Sequence, residues 1–343
     1  MAVSTRRLTF GRMLLTCAML TGVLVAVMVL ALRLGAVPFS LSDLAQNLLW
    51  LASGHPEKLS TDFRLIMVDI RLPRILLGSI VGAALSVAGA SFQALLRNPL
   101  ADPYVLGVSS GAALGAILAL LALPALPLMT PLAAFLGATA TIAAVYFLGR
   151  REGQLDSGTL LLAGIISASF LSAVIMFLMM TLASRDVRGM AFWLMGDLSA
   201  SLPPGLLWIL VAGFVLAAGA IFTTASDLNL LLAGEREAMH LGVEVTRVKL
   251  VVYVSASILT GLAVSVSGAI GYVGLLVPHV MRMLFGSDYR VLIPTSALGG
   301  AIAVVLADTL ARTIVAPTEL PVGAMTAMAG APVFIYLLRR RLS

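Results

Sequence analysis

The stretch Leu76–Leu96, LLGSIVGAALSVAGASFQALL, contains no charged residue and is as long as a helix that crosses a bilayer. Such a helix needs about 20 apolar residues to span roughly 30 Å of hydrocarbon. Further uncharged stretches lie at 14–32, 105–148, 160–182, 202–224, 250–280, 291–307 and 322–338. The chain is 60% hydrophobic and 11% charged, whereas about 25% of residues are charged in a soluble domain. The sequence therefore predicts an all-α membrane protein.

The number of spans follows from the lengths of these stretches. Residues 105–148 suffice for two helices, with a break near Pro124 to Pro131. Residues 250–280 are too long for one helix and are expected to fold back near Ser265 to Gly268. We interpret 14–32 as the first span, because it is too long for the apolar part of a signal peptide and lacks an obvious cleavage site. The prediction is a single domain over residues 1–343 with about ten transmembrane helices.

The basic residues indicate the orientation of the chain. With Arg6 and Arg7 inside, 14 of the 22 lysines and arginines fall on the cytoplasmic side, in agreement with the positive-inside rule. This predicts a multi-pass protein of the inner (cytoplasmic) membrane with both termini in the cytoplasm. It also accounts for the net charge of +6 without nucleic-acid binding. Arg71, Arg74 and Arg312 fall on the outer face, against the rule, and require a separate explanation.

Several kinds of chemistry are missing from the sequence. It has no Gly-x-x-x-x-Gly-Lys-Ser/Thr loop for nucleotide phosphates. Its three histidines, His55, His240 and His279, are far apart, so no metal site and no zinc peptidase is predicted. The spans lack a buried carboxylate relay for proton coupling, and Asp308 and Arg312 are expected to pair with each other at i, i+4 spacing. Energy for transport is therefore expected to come from another subunit.

Six segments together resemble one family of permeases. They are 71–74 (RLPR), 89–103 (GASFQALLRNPLADP), 106–112 (LGVSSGA), 268–279 (GAIGYVGLLVPH), 307–312 (ADTLAR) and 319–323 (ELPVG). In this sequence and order they resemble the FecCD-type permeases, the subunits of type II ABC importers for iron-siderophores, haem and vitamin B12. The resemblance extends from the first span to the last.

The resemblance implies an architecture and a set of partners. It implies a homodimer of ten-span subunits, each built from two inverted halves, with the translocation path between the subunits. Two separate ATPase subunits, which carry ATP and Mg²⁺, would bind inside, and one periplasmic or lipid-anchored binding protein would dock outside. This chain would bind no cofactor of its own. The expected function is movement of iron chelates, siderophore or haem, from periplasm to cytoplasm, with vitamin B12 (cobalamin) as the alternative cargo.

Arg71, Arg74 and Arg312 match the family's outward-facing arginines, which meet acidic residues of the binding protein. The arginine side chain supports this role, because its planar fork pairs with a carboxylate through two hydrogen bonds. The alternative is that these arginines reach toward lipid phosphates at helix ends.

The loop at about 226–249 resembles the region that couples these permeases to their ATPase. Its central residues are Gly234, Glu235, Arg236, Glu237, Ala238, Met239, His240, Leu241 and Gly242. Charged residues here could set the register on the ATPase, and Met239 and Leu241 could fill a pocket. The alternative is a solvated loop helix without a partner.

Four residues match the family's cytoplasmic gate. Asn98 and Leu100 match a constriction near the inner end of the path, and Ser157 and Gly158 match a second gate before the fifth span. Gly158 stands where the family has a hydroxyl residue, and Asp156 precedes Ser157. For Asn98, which precedes a proline, the alternative is a turn that ends a helix.

Two other classes of function are considered. A secondary carrier would work without an ATPase, and the charged loop from Glu235 to Lys249 argues against it. An intramembrane enzyme would require a catalytic pair within the spans, and the sequence contains none that we can recognise.

Overall fold

A computed structural model describes residues 10–342 except 36, 38, 56, 57, 124, 152, 153, 182–186, 200–202 and 204. Helices dominate the described residues, and the only strands among them form one hairpin of two residues on each side. The prediction that Arg6 and Arg7 lie in the cytoplasm concerns residues outside this part of the chain, as does the predicted role of Pro124 in a break.

Fifteen α-helices are present in the described part of the chain. They are α1 Phe10–Arg33, α2 Leu41–Ala52, α3 Thr61–Phe63, α4 Leu72–Leu95, α5 Val108–Ala122, α6 Met129–Leu148, α7 Ser157–Thr181, α8 Val187–Leu194, α9 Leu206–Thr223, α10 Ala225–Leu231, α11 Glu235–His240, α12 Val245–Ser267, α13 Val273–Phe285, α14 Tyr289–Thr313 and α15 Val322–Leu342. A π-helical segment, Arg64–Arg71, joins α3 to α4, and a 3-10 turn, Pro103–Leu106, precedes α5. Strands β1 (Arg150–Arg151) and β2 (Gln154–Leu155) pair in antiparallel fashion, with Arg150 opposite Leu155.

Seven helical segments of the described residues are long and apolar enough to cross a membrane. They are 10–33, 61–95, 129–148, 157–181, 206–223, 245–267 and 289–313, and three shorter apolar helices accompany them at 108–122, 273–285 and 322–336. Both predicted breaks are confirmed: α5 and α6 are separate helices, and α12 ends at Ser267, where Gly268 has a φ of +63°. The protein is therefore a multi-pass, all-helical membrane protein.

Helix α4 lies at the centre of the bundle. In the most apolar part of the segment 61–95, which contains α4, 83% of the residues are buried, whereas the corresponding share in α1 is 6%. Glycines allow this close packing, because a Cβ atom on Gly82 would collide with the carbonyl of Gly300 on α14, and one on Gly89 with that of Gly274 on α13. Small residues at helix crossings let backbones approach each other in lipid. The position of α4 is consequently determined along its whole length by its neighbours.

The two irregular segments next to α4 contact each other. The Tyr104 hydroxyl donates a hydrogen bond to the carbonyl of Ile270 at 3.1 Å and accepts one from the Ile270 amide at 3.0 Å. Non-helical backbone inside a membrane protein must find such partners, because lipid offers none. This exchange joins the segment before α5 to the linker between α12 and α13.

Candidate docking and coupling sites

The outer end of α4 holds a buried cluster of arginines and carboxylates. Arg74 donates from Nε to Asp308 Oδ1 and from Nη1 to Glu319 Oε2, both at 2.8 Å. Asp308 also pairs with Arg312, whose Nε lies 3.0 Å from Oδ2. The cluster therefore joins α4, α14 and the loop before α15 through charged groups.

Arg71 extends this cluster toward α1. Its Nη1 and Nη2 donate to the carbonyls of Leu32 and Val37, each at 2.6 Å, and its guanidinium lies 5.7 Å from the ring centre of Phe39. These carbonyls belong to the end of α1 and the loop that follows. Arg71 thus holds α1 against the start of α4.

The three predicted docking arginines lie in one region of the structure, and all three are buried within the chain. Arg71, Arg74 and Arg312 are 5%, 8% and 7% exposed. Carbonyls and carboxylates of the chain itself accept hydrogen bonds from Arg71 and Arg74. The sequence could not show this, because the partners of Arg74 lie 234 and 245 residues away. Their role in docking stays a prediction.

The predicted pair of Asp308 and Arg312 is confirmed, but the part played by Glu319 was missed. Its only signal in the sequence is an isolated acid in the ELPVG segment before the last apolar stretch. With a side chain that is 43% exposed, Glu319 connects the buried cluster to the surface.

At the inner end of the bundle, α11 presents one face outward and one inward. Met239 and Leu241 are 55% and 65% exposed, and Ala238 is fully buried. Arg236, Glu237, His240 and Gly242 are exposed, and Gly234 is half-buried. Two exposed apolar side chains at the C-terminal end of a short helix, with exposed polar residues around them, suit a pocket on a partner protein.

Glu235 belongs to the inward face of α11. Its Oε1 forms ion pairs with Arg97 Nη2 at 2.7 Å and with Lys249 Nζ at 2.8 Å. Lys249 lies near the start of α12 with a side chain that is only 9% exposed. Glu235 therefore connects α11 to α12 and to Arg97 in the turn after α4.

The predicted gate residues gather around the C-terminal end of α4. Asn98 Oδ1 accepts a hydrogen bond from the amide of Leu100 at 2.9 Å, and the Ser157 hydroxyl donates to the carbonyl of Leu95 at 3.4 Å. Leu100 is 42% exposed, and Gly158 is exposed. Sequence comparison placed these residues in two gates, and the structure brings both to one helix end.

The departure from the family pattern around Ser157 has a local explanation. Asp156 Oδ2 accepts hydrogen bonds from the amide and the hydroxyl of Thr159, at 2.8 and 2.7 Å. A carboxylate before a helix is a favourable cap for its first amides. The sequence pattern D-S-G-T before an apolar run predicts such a cap. Our comparison with the family considered only the missing hydroxyl at Gly158 and did not include this cap.

Asp288 connects the segment before α11 to the start of α14. It caps α14, accepts a hydrogen bond from Asn229 Nδ2 at 2.9 Å and pairs with Arg290 at 2.6 Å. Hydrogen bonds from the Arg290 side chain hold the pKa of Asp288 below its ordinary value. Asn229 lies on α10, next to α11, so this contact holds α10 against the start of α14.

A metal centre is not indicated by the described residues. Within the ranges that the structure covers, no group of three or more His, Cys, Asp or Glu side chains is placed to hold a metal ion.

Comparison with known proteins places this chain among transport proteins. The FecCD transport family matches it over residues 23–340. The hemin transport system permease protein HmuU of Yersinia pestis is 40% identical over 92% of this chain and 94% of that protein. The cobalamin import system permease protein BtuC of Halobacterium salinarum is 44% identical over 81% of this chain and 74% of that protein.

A solved structure has the same fold. It is an ABC transporter of the metal-chelate type in an inward-facing conformation, and it aligns with a TM-score of 0.79 and 31% identity over 95% of this chain and 99% of that one. The chain belongs to the FecCD transport family, the permease components of ABC transporters.

Proposed function

We propose that this chain is the permease subunit of an ABC importer that moves an iron chelate, siderophore or haem, from the periplasm to the cytoplasm. The observation that carries the proposal is the exposure of Met239 and Leu241 at the C-terminal end of α11, in a chain related over most of its length to a hemin permease. A helix of this kind serves a transporter that is driven by a separate ATPase.

The proposed assembly follows from the fold and the family. The seven long and three short apolar helices would give ten spans in one permease domain, residues 1–343, arranged as two inverted halves. Two copies of the chain would enclose the path in the inner membrane, with both termini in the cytoplasm. Inverted halves are a common plan of transporters.

ATP hydrolysis is assigned to the partner. Two ATPase subunits would bind ATP and Mg²⁺ and receive α11 in a groove, with Met239 and Leu241 as anchors and Arg236, Glu237 and His240 at the rim. Buried apolar anchors contribute most of the affinity in such contacts, and rim charges mainly set register and association rate.

Copurification tests the assignment of α11. Replacing Met239→Asp together with Leu241→Asp should abolish capture of the ATPase, because both anchors become charged. The matched control is the swap Met239→Leu with Leu241→Met, which conserves volume and should retain capture. Glu237→Arg, a change at the rim, should weaken capture more at low than at high salt. If the double aspartate variant still binds the ATPase and supports its hydrolysis, α11 is not the coupling helix.

For the outer face we propose docking by exchange of carboxylates. An acidic residue of a binding protein would approach where Glu319 is exposed and take its place on Arg74, while Arg71 and Arg312 keep the surroundings positive. Glu319 competes for the same fork, so Glu319→Gln should raise the affinity of the binding protein and Arg74→Gln should lower it. Both effects should shrink as salt increases. An unchanged affinity in Glu319→Gln would remove the exchange step.

The cargo is tested by uptake in cells. A strain deleted for this chain is compared with the complemented strain for entry of labelled ferric siderophore, haem and cobalamin. Loss and recovery of one iron label supports the main proposal. Loss and recovery of cobalamin alone would support the alternative cargo, vitamin B12.

A further inference from the structure

Two helices of the inner site end in the same backbone motif but with different residues. After α11, the amides of Gly242 and Val243 donate to the carbonyls of Met239 and Ala238 at 3.0 Å. After α4, the amides of Arg97 and Asn98 donate to the carbonyls of Ala94 and Gln93 at 3.1 Å. This is the Schellman arrangement, in which one residue adopts the left-handed conformation.

Arginine is an unusual choice for that residue. Gly242 has a φ of +87° and Arg97 a φ of +48°. Glycine adopts such values freely, whereas a side chain in this conformation is disfavoured by contact with its own backbone. Left-handed residues other than glycine persist where their surroundings demand them, and they cluster at functional sites. The presence of Arg97 instead of glycine therefore calls for a reason in its side chain.

The side chain of Arg97 reaches the coupling helix. Its Nη2 lies 2.7 Å from Glu235 Oε1, and Lys249 Nζ contacts the same oxygen at 2.8 Å. Lys249 is nearly buried on α12, while the Arg97 side chain is 45% exposed. Glu235 is thus held between a cation fixed in the bundle and a cation on the segment after α4.

The residues that follow Arg97 are the predicted gate. Asn98 is the next residue and binds the amide of Leu100, so the turn 97–100 is one hydrogen-bonded unit. A shift of α11 that moves Glu235 would move the Arg97 side chain and, through its backbone, this turn. An exposed ion pair of this kind adds little to stability, so stability does not explain why arginine stands here.

We propose that Arg97 is a positioning residue that transmits displacement of the ATPase-coupling helix α11 to the gating turn 97–100 through Glu235, with Lys249 as the fixed point. The proposal rests on the proposed function, since it requires an ATPase on α11. Arg97 contacts neither ATP nor cargo in this scheme, and it acts only through the position of Asn98 and Leu100.

The test uses the full permease with its copurified ATPase in proteoliposomes. Cys17 is the sole cysteine, so a Cys17→Ser background with Leu100→Cys gives one reporter thiol at an exposed gate position. Its rate of reaction with a water-soluble maleimide is measured without nucleotide and with ATP, Mg²⁺ and vanadate. ATP hydrolysis is measured on the same samples. The variants are Arg97→Gly, which suits the left-handed backbone, and Arg97→Lys, which keeps the charge.

With arginine or lysine at 97, we expect the labelling rate to change by about five-fold or more on addition of nucleotide and vanadate, the lower range of measured couplings between sites. With glycine at 97, we expect this change to disappear while the ATPase is still captured and hydrolysis continues. Glu235→Gln should also abolish the nucleotide response, because Arg97 then loses its charged partner on α11.

Three results would overturn the proposal. The first is a nucleotide response that survives in Arg97→Gly, and the second is a reporter that never responds in the parent. The third is a response that is lost equally in Arg97→Lys, because the charge at position 97 would then not be what transmits the displacement. Failure of the parent to capture any ATPase would instead refute the proposed function, and copurification reveals that result before labelling begins.

Discussion

The two ends of α4 carry ion pairs of similar length in different surroundings. At the outer end, Arg74 and Asp308 lie 2.8 Å apart with side chains that are 8% and 3% exposed. At the inner end, Arg97 and Glu235 lie 2.7 Å apart with side chains that are 45% and 26% exposed. Charges in the dry outer cluster interact strongly, whereas water and salt weaken the inner pair.

This difference in burial means that the two ion pairs do not open equally easily. Removing one partner from a buried pair leaves a charge without compensation, so the outer cluster resists opening. The inner pair can break and form again with little change in free energy. The end of α4 at Arg74 is therefore suited to stay fixed, and the end near Arg97 is suited to move, as the proposed role of Arg97 requires.

The largest effect on the free energy of unfolding is expected when Asp308 is replaced. Asp308→Ala leaves Arg74 and Arg312 buried without their shared carboxylate, and we expect the free energy of unfolding to fall by about 3–5 kcal/mol. Unfolding by denaturing detergent in mixed micelles measures it. The control is Glu319→Gln, whose exposed side chain predicts a loss of only about 0–1 kcal/mol. Equal losses in the two variants would contradict the account of the outer anchor.

The next effect concerns the middle of α4, between its two ends. In Gly300→Ala, the new Cβ atom would meet the carbonyl of Gly82 and the Cβ atom of Ser86, and we expect a loss of about 1–3 kcal/mol from overpacking. The matched control is Gly219→Ala on α9, where nothing lies within 4 Å of the added atom. A neutral Gly300→Ala would mean that α4 and α14 can separate without penalty.

The inner end predicts a much smaller effect on stability. In Arg97→Gly, the strain of a side chain on a left-handed backbone is removed, which stabilises the fold by about 1–2 kcal/mol. The exposed ion pair with Glu235 is lost, which costs about 0–1 kcal/mol. The free energy of unfolding should therefore stay within about 1 kcal/mol of the parent or rise slightly. A loss as large as that of Asp308→Ala would show that both ends are anchors.

The smallest expected effect is a pH dependence of stability at Asp288, before the start of α14. The pKa of Asp288 is lowered by hydrogen bonds from Arg290, so its contribution is complete above the ordinary aspartate pKa of about 3.9. That contribution is lost as the pH falls through the lowered folded value. Melting temperatures of the parent and Asp288→Asn should differ at pH 6, and the difference should shrink as the pH falls below the ordinary aspartate pKa. A difference that grows on acidification would reverse the sign of this prediction.

Much of the fold could be predicted because its signals are local. The break at Ser267 follows from the length of one apolar stretch, and the pair of Asp308 and Arg312 follows from spacing on one helix. The exposed face of α11 was found because its charged and apolar residues are consecutive.

The rest depends on contacts between distant segments. Nothing near Arg71 in the sequence shows that the carbonyls of Leu32 and Val37 bind it, and Arg97 lies 138 residues from Glu235. The sequence assigned Glu235 to the ATPase surface with its neighbours, but a six-residue helix has two faces, and only packing decides which residue points inward.

The most direct test of the account is transport by purified components. Proteoliposomes are prepared with the permease, its ATPase and its binding protein. Transport of the iron chelate identified in cells is then followed with and without ATP on the side of the membrane where the ATPase is bound. The account predicts uptake that requires ATP and is abolished by the double aspartate change at Met239 and Leu241. Uptake of equal size without ATP and without the ATPase would show a secondary carrier and contradict the account.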